Sequence, residues 1–230
     1  MEILADFSQR VIVHSALMDW IASPMPGVER RTLDRVGDEV ARATSIVRYA
    51  QGSHFSSHVH TGGEEFIVLD GVFQDEHGDY PAGSYVRNPP QSSHTPGAKQ
   101  GCTIFVKLWQ FQPEDRTHVS LKIDKVPATP TQYAGVSSRL LHQDNHEKVT
   151  IVDFSAHAKL SFTVPEGAEV LVLEGTLQTQ GELSQKHSWM RLPLGDTLAL
   201  TAQDEGAKVW LKIGKLADVE NQIKRVRAVS

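Results

Sequence analysis

Short runs of alternating apolar and polar residues dominate the chain, and turn-forming residues separate them. The alternation recurs in residues 43–50, 64–73, 83–88 and 102–110. A period of two residues is typical of half-buried β-strands. The intervening segments are rich in Gly, Pro, Asn and Asp, and Pro81, Pro89 and Pro90 exclude helices there. The pattern therefore predicts an all-β protein.

The strand pattern of the first half returns in the second half. Residues 63–73, GEEFIVLDGVF, resemble residues 167–177, GAEVLVLEGTL, at an offset of 104 residues. A repeat of this length indicates an internal duplication in which each copy forms one folding unit. The polar, proline-containing segment between the copies places the boundary near residue 128. We therefore predict a first domain at 1–128 and a second at 129–230.

The end of the chain has a different period. Its apolar residues Leu216, Val219, Ile223 and Val226 are spaced three or four positions apart. This spacing places them on one face of an α-helix. We therefore predict that one short helix follows the second repeat.

Composition narrows the range of functions. The chain has 230 residues, of which 22% are charged, with a formal net charge of −5 and no basic stripe. We therefore expect neither a nucleic-acid partner nor a membrane partner. Cys102 is the sole cysteine, which excludes an intrachain disulfide and a multi-cysteine zinc site. The first residues do not resemble a signal peptide, so we expect a cytoplasmic protein. A homodimer is one option that the sequence leaves open.

The candidate chemistry lies in residues 52–71, GSHFSSHVHTGGEEFIVLDG. His58 and His60 are separated by one residue, so both imidazoles project from the same face of a strand. Glu64 follows a Thr-Gly-Gly turn that returns the chain beside them, and His94 comes from a later strand. Three imidazoles and one carboxylate suit zinc or a first-row metal such as iron, manganese, nickel or copper.

The spacing of these residues resembles the first motif of the cupin family, G-x5-H-x-H-x3-E-x6-G. The motif runs without a gap from Gly52 to Gly71. The second cupin motif resembles residues 83–98 and includes His94, but Gln91 stands where glycine is usual and Ala98 where asparagine is usual. The resemblance implies tandem double-stranded β-helix barrels of the jelly-roll type, a bicupin, with metal ligands His58, His60, Glu64 and His94 in the first barrel.

Residues 25–112 look more specifically like the cupin domain of the ChrR group of anti-sigma factors. That resemblance implies zinc as the most favoured ion. It does not extend to sigma-factor binding, because the group's separate N-terminal zinc domain needs cysteines that this sequence lacks. We therefore expect no direct sigma-factor binding.

The second repeat has lost the candidate ligands. At the offset of 104 residues, the four ligand positions correspond to Phe162, Val164, Ala168 and Leu198. All four are apolar, as expected for a barrel interior that is filled as core. We expect no metal there.

Two functions remain open. One is a metal-binding module of the ChrR-like group with a small-molecule ligand in the first barrel or a redox-sensing role. The other is a metal-dependent dioxygenase that acts on small dicarbonyl or hydroxy-ketone compounds. No catalytic acid, base or nucleophile is evident in the sequence outside the metal ligands.

Overall fold

In the computed structural model, which describes residues 1–229, most elements are strands. The strands of the first half are β1 (Glu2–Ile3), β2 (Val11–His14), β3 (Ile21–Ala22), β4 (Val28–Gly37), β5 (Ala41–Tyr49), β6 (Ser53–His54), β7 (His58–His60), β8 (Glu64–Asp75), β9 (Gly78–Pro81), β10 (Ser84–Asn88), β11 (Ser92–His94), β12 (Gly97–Ala98), β13 (Cys102–Leu108) and β14 (Val119–Lys122). The strands of the second half are β15 (Thr129–Pro130), β16 (Val136–Gln143), β17 (Glu147–Phe154), β18 (Lys159–Val164), β19 (Ala168–Thr179), β20 (Glu182–Ser184), β21 (Ser188–Leu192) and β22 (Asp196–Gly214). The helix α1 spans Val219–Val229, and single 3₁₀ turns occupy Ser15–Leu17, Ile123–Lys125 and Leu216–Asp218. The all-β prediction with a short C-terminal helix is therefore confirmed.

The chain divides into two compact units. The first unit contains residues 1–5, 19–122 and 220–230, and the second contains residues 6–18 and 123–219. The change of unit at residues 122/123 lies close to the predicted boundary near residue 128. A single cut of the chain does not separate the units. Residues 6–18 belong to the second unit, where β2 pairs with β21, and the last residues of the chain belong to the first unit.

The first unit is built on an antiparallel sheet in the order β1-β4-β5-β13-β8-β10-β14. Strands β7 and β11 form a separate antiparallel pair, and β12 joins β6 to β8. The apolar residues of alternate positions meet inside, where Phe66, Val68 and Val106 are buried.

Strand β8 contains a bulge that reverses the alternation of its side chains. Its register with β13 shifts between Val68 and Asp70. Before the shift, Glu64 and Phe66 face the interior, and after it Phe73 does so. An extra residue in one strand has this effect because successive side chains point to opposite faces.

The second unit repeats this arrangement in the order β15-β16-β17-β22-β19-β21-β2, with β18 paired to β22. The repeat extends to the residue pairs. His58 lies opposite His94 in the first unit, and Phe162 lies opposite Leu198 in the second, at the same offset of 104 residues. The bulge recurs as well, as a register shift between Val172 and Glu174.

Apolar side chains fill the second unit at the positions of the candidate ligands. Val164, Ala168 and Leu198 are at most 1% exposed and belong to the core, and Phe162 packs against it. The prediction that apolar side chains fill these positions as core is confirmed.

Helix α1 is short. Leu216, Val219 and Val226 are buried, in agreement with the apolar face that the sequence predicts. Within residues 1–229, no helix combines the length and the apolar composition needed to cross a bilayer.

Candidate metal centre

Two short strands bring the three candidate histidines together. His58 and His60 occupy alternate positions of β7, and the antiparallel register of β11 places His94 directly opposite His58. The imidazole centroids lie 4.6 Å apart for His60 and His94, 4.8 Å for His58 and His60, and 5.2 Å for His58 and His94. The three histidines that the sequence selects therefore lie together.

The ring nitrogens of this cluster suit a metal ion. One nitrogen from each of His58, His60 and His94 lies within 4.8 Å of the others. Nε2 of His60 and Nε2 of His94 are buried and have no hydrogen-bond partner among the described residues. Such orphaned buried polar atoms are rare in folded proteins, because each carries an uncompensated desolvation cost. The cluster therefore fits a group that accepts nitrogen lone pairs.

Glu64 lies next to the histidines. Its Oε2 atom is 3.4 Å from Nε2 of His60 and 3.6 Å from Nε2 of His94. The side-chain amide of Asn88 donates a hydrogen bond of 3.2 Å to the same oxygen. Both the carboxylate and the two closest imidazoles are at most 8% exposed. The distances allow Glu64 to complete an N₃O donor set, as the sequence predicts, and the assignment of ligands stays a prediction.

Asp75 orients His94, and the sequence did not reveal it. Nδ1 of His94 lies 3.0 Å from Oδ2 of Asp75, while the other carboxylate oxygen accepts hydrogen bonds from the backbone amides of His77 and Gly78. A carboxylate at Nδ1 selects the tautomer that presents the lone pair of Nε2 to the site. His58 is oriented in a similar way, since its Nδ1 lies 3.0 Å from the carbonyl oxygen of Ser56.

The surroundings shift the pKa values of these groups in different directions. Burial lowers the pKa of His60, and it outweighs the opposing charge of Glu64. Burial also acts to lower the pKa of His94, but the hydrogen bond with Asp75 and the charge of Glu64 raise it above the ordinary value. Burial would raise the pKa of Asp75, yet the hydrogen bonds from His94 and from the His77 amide lower it. Asp75 is therefore ionised at neutral pH.

The Thr-Gly-Gly turn before Glu64 lies beneath two aromatic rings. A Cβ atom on Gly62 would be 2.2 Å from the ring of Trp109, and one on Gly63 would be 2.4 Å from the ring of Phe111. Gly63 also has a φ of +78°, which side chains other than glycine rarely adopt. The two glycines thus let the rings pack on the turn that positions Glu64.

A cavity of about 470 Å³ opens beside the centre. His58, His60 and Glu64 contribute to its wall, and Val47, Ile104, Val106, Leu108 and Trp109 form much of the apolar remainder. Its size suits a small organic molecule. A small molecule in this cavity would contact the histidine cluster directly.

Other side chains of the first unit have defined environments. Tyr49 faces the interior, and burial together with the charge of Glu64 raises its pKa well above the usual value, whereas Arg48 faces outward and pairs with Glu29. Lys107 is fully buried on the face opposite Val106 and donates a hydrogen bond to Thr44. Cys102 is buried, and burial raises its pKa to about 12.

The second unit contains a different group of potential ligands. One atom from each of His142, Asp144 and Glu147 lies within 4.8 Å of the others. The carboxylate of Glu147, however, lies 2.9 Å from Nζ of Lys212, which compensates its charge. This group lies at a hairpin turn rather than at the positions equivalent to the first site, and its residues follow no recognisable ligand spacing.

Comparison with known proteins relates these features to a family. Residues 8–112 match the family model described as the ChrR cupin-like domain. This part of the chain is therefore similar to a ChrR cupin-like domain. The histidine cluster lies within the matched residues. No curated protein matches the sequence.

Solved structures share the cupin fold over most of the chain. A protein from Nostoc punctiforme described as a candidate dioxygenase is 16% identical, with 91% of this chain and 84% of that chain covered and a TM-score of 0.72. The bacterial pirin YhhW from Escherichia coli, solved with nickel(II), is 12% identical, with 89% and 98% covered and a TM-score of 0.64. A variant of oxalate decarboxylase from B. subtilis is 10% identical, with 88% and 76% covered and a TM-score of 0.63. At these identities the likeness establishes the fold.

Proposed function

We propose that the first cupin unit binds one divalent metal ion through His58, His60, Glu64 and His94. The observation that carries this proposal is the pair of buried Nε2 atoms, on His60 and His94, that have no partner within the described residues. Glu64 supplies a carboxylate oxygen within 3.6 Å of both atoms. Imidazole and carboxylate donors suit zinc, which the ChrR resemblance favours, and equally iron, manganese, nickel or copper.

The role we propose is a small-molecule function at this centre. The cavity of about 470 Å³ supports it, because His58, His60 and Glu64 form part of the cavity wall. When bound, the metal would supply Lewis-acid or redox chemistry to a molecule in the cavity. The protein's part is to orient the ligands, with Asp75 fixing the His94 ring and Asn88 holding Glu64.

Within this role, we propose that the protein is a dioxygenase that acts on small dicarbonyl or hydroxy-ketone compounds. The apolar part of the cavity wall and the exposed position of His58 support access of an organic molecule to the centre. The Nostoc punctiforme protein of the same fold, which is described as a candidate dioxygenase, is consistent with this reaction. A closed redox-sensing site is less well supported, because it would need no such cavity.

Metal analysis of His60→Ala tests the centre. The native protein should hold about one metal ion per chain, and the variant should lose most of it, since a buried ligand is removed. Its melting temperature should fall as well, because bound metal stabilises the native state by mass action. His54→Ala is the control, because His54 is an exposed histidine nearby that lies outside the cluster. Full metal content in His60→Ala would refute the ligand set.

Oxygen consumption tests the proposed reaction. The metal-loaded native protein is mixed with small 1,3-diketones and hydroxy-ketones, and dissolved oxygen is followed with an electrode. We expect uptake with at least one compound and none with His60→Ala. If zinc is the resident ion and oxygen uptake is absent with every metal and compound, the dioxygenase assignment is wrong while the metal centre stands.

A further inference from the structure

An arginine side chain points into the interior of the first unit. Arg30 lies opposite Val47 in the register between β4 and β5. Two positions away on each strand, Val28 and Tyr49 form another such pair and are buried in the core. Side chains two positions apart share a face of a strand. Arg30 therefore faces inward, and it lines the same cavity as His58.

Arg30 has no carboxylate partner among the described residues. Its Nη2 atom donates a hydrogen bond of 2.8 Å to the hydroxyl of Ser23, and its buried Nε atom has no partner in residues 1–229. A guanidinium has five donor hydrogens arranged in a fork that matches a carboxylate. Arg30 thus retains donors for a ligand, and an inward arginine without a carboxylate is costly unless something pairs with it.

The charges along the cavity favour an anion. Arg35 also lines it and uses its guanidinium on the backbone carbonyls of Gly37 and Asp38. Burial and then the positive charge of Arg30 lower the pKa of Arg35, which indicates that the two cations lie near each other. Glu39 and Glu64 are the lining carboxylates. With a divalent ion beside Glu64, the cavity would have a net positive charge, which attracts anions.

The rest of the wall selects an organic anion. Phe55, Ile104, Val106 and Leu108 present apolar surface between the polar groups. Inorganic anions gain nothing from such a wall, whereas a hydrocarbon body with one charged end is desolvated favourably. Because Arg30 and the histidine cluster lie at two different places on this wall, they would define the orientation of a ligand.

We propose that this cavity binds a small organic carboxylate, with its charge on Arg30 and its other end directed towards the histidine cluster. The part of the proposal that concerns the second end rests on the metal function proposed above. The arginine subsite itself rests on the remaining donors of Arg30, on β4 and β5 and on the cavity, and a bound metal ion would add positive charge to it.

Phenylacetate and phenylacetamide are suitable probes, because they have nearly the same size and differ in charge. Binding is measured by ligand-observed NMR titration on the full chain, after the metal content of each sample is determined. We expect phenylacetate to bind the native protein about tenfold more tightly or better. Arg30→Gln should remove this preference and keep the metal content. Arg30→Lys, which conserves the charge without the fork, should retain part of it.

Arg48→Gln is the matched control. Arg48 lies on β5 next to Tyr49, faces outward and pairs with Glu29, so its loss should leave the preference unchanged. Equal binding of the two probes to the native protein, no binding of phenylacetate at millimolar concentration, or an unchanged preference in Arg30→Gln would each overturn the proposal. A preserved preference in a native protein that holds no metal would instead refute the metal function and support the arginine subsite.

Discussion

At the scale of single residues, the centre depends on side chains that are not candidate ligands. Asp75 holds His94 through Nδ1 and is itself held by the backbone amides of His77 and Gly78. Hydrogen bonds of this kind fix ligand orientation and raise ligand basicity. The affinity of the site for metal is thus set partly by a turn outside the cluster.

Asp75→Asn should weaken metal binding by about 10- to 100-fold. Asparagine keeps an oxygen that can accept from the two amides but lacks the negative charge beside His94. Competition with a chelator measures the change. Asp79→Asn serves as control, because the exposed Asp79 accepts a hydrogen bond from Gln74 and belongs to no ligand cluster within residues 1–229. An affinity within twofold of the native value would mean that Asp75 does not support His94.

Gln91 has an unfavourable backbone conformation. Its φ is +76°, in the left-handed region, and the equivalent residue of the second repeat is Gly195 with a φ of +77°. The cupin motif usually has glycine here, and the structure supplies the physical reason. The Gln91 amide donates to the carbonyl oxygen of His60, so the conformation is retained without glycine.

Gln91→Gly should stabilise the protein by about 0.5–1 kcal/mol, because relief of left-handed strain exceeds the entropy that glycine gains in the unfolded chain. The exposed side chain makes little packing contribution. Urea unfolding measures the change. Ser93→Gly, at an exposed position of β11, should instead destabilise. A less stable Gln91→Gly would show that the glutamine side chain contributes contacts that outweigh the strain.

At the scale of elements, the bulged strand β8 contributes a residue to the site from each of its two ends. Glu64 begins β8 and Asp75 ends it, and both approach His94. The two positions differ by an odd number, so a regular strand would place them on opposite faces. The shift after Val68 brings both to the interior. This is why the alternation of the sequence did not reveal Asp75.

Gly62→Ala tests the turn between β7 and β8. The added methyl would lie 2.2 Å from the ring of Trp109, so either the turn or the ring must move. We expect a loss of about 1–3 kcal/mol in stability, measured by thermal or urea unfolding, together with weaker metal binding because Glu64 follows the turn. Gly97→Ala is the control, since its nearest neighbour would lie 3.8 Å away. A native-like stability would show that the turn is not constrained by Trp109.

At the scale of the whole molecule, the two repeats share one register and differ in their interiors. Leu198→Ala should reduce stability by about 2–5 kcal/mol, because Leu198 is fully buried and leaves a cavity. Its equivalent in the first unit is His94, yet the metal content should remain unchanged. Leu194→Ala is the control, because that side chain is 52% exposed. A loss of metal from Leu198→Ala would contradict a centre confined to the first unit.

Much of this molecule follows from patterns in its sequence. Alternation predicted the main strands, and the offset of 104 residues predicted that Phe162 and Leu198 correspond to His58 and His94. The motif spacing selected the histidines that lie together. Residues outside the motifs that support the site were not predicted from the sequence. Trp109 contacts Gly62 across a loop, a long-range contact that leaves no local signal.

The exchange of terminal segments also escaped prediction. Residues 11–14 pair with β21, almost 180 positions away, and nothing near either strand specifies that partner. Periodicity identifies a strand, but the choice of neighbour depends on the whole fold. The same limit applies to Arg30, whose inward direction becomes evident only from its register with Val47.

The placement of the terminal segments has a consequence for the handling of the gene. A fragment ending at residue 128 would lack α1, and a fragment beginning at residue 129 would lack β2, leaving the edge of β21 unpaired. Open edges of this kind promote aggregation. A contiguous stretch of coding sequence cut near residue 128 therefore encodes neither unit in full, and the termini must be moved if one unit is to be expressed with all of its segments.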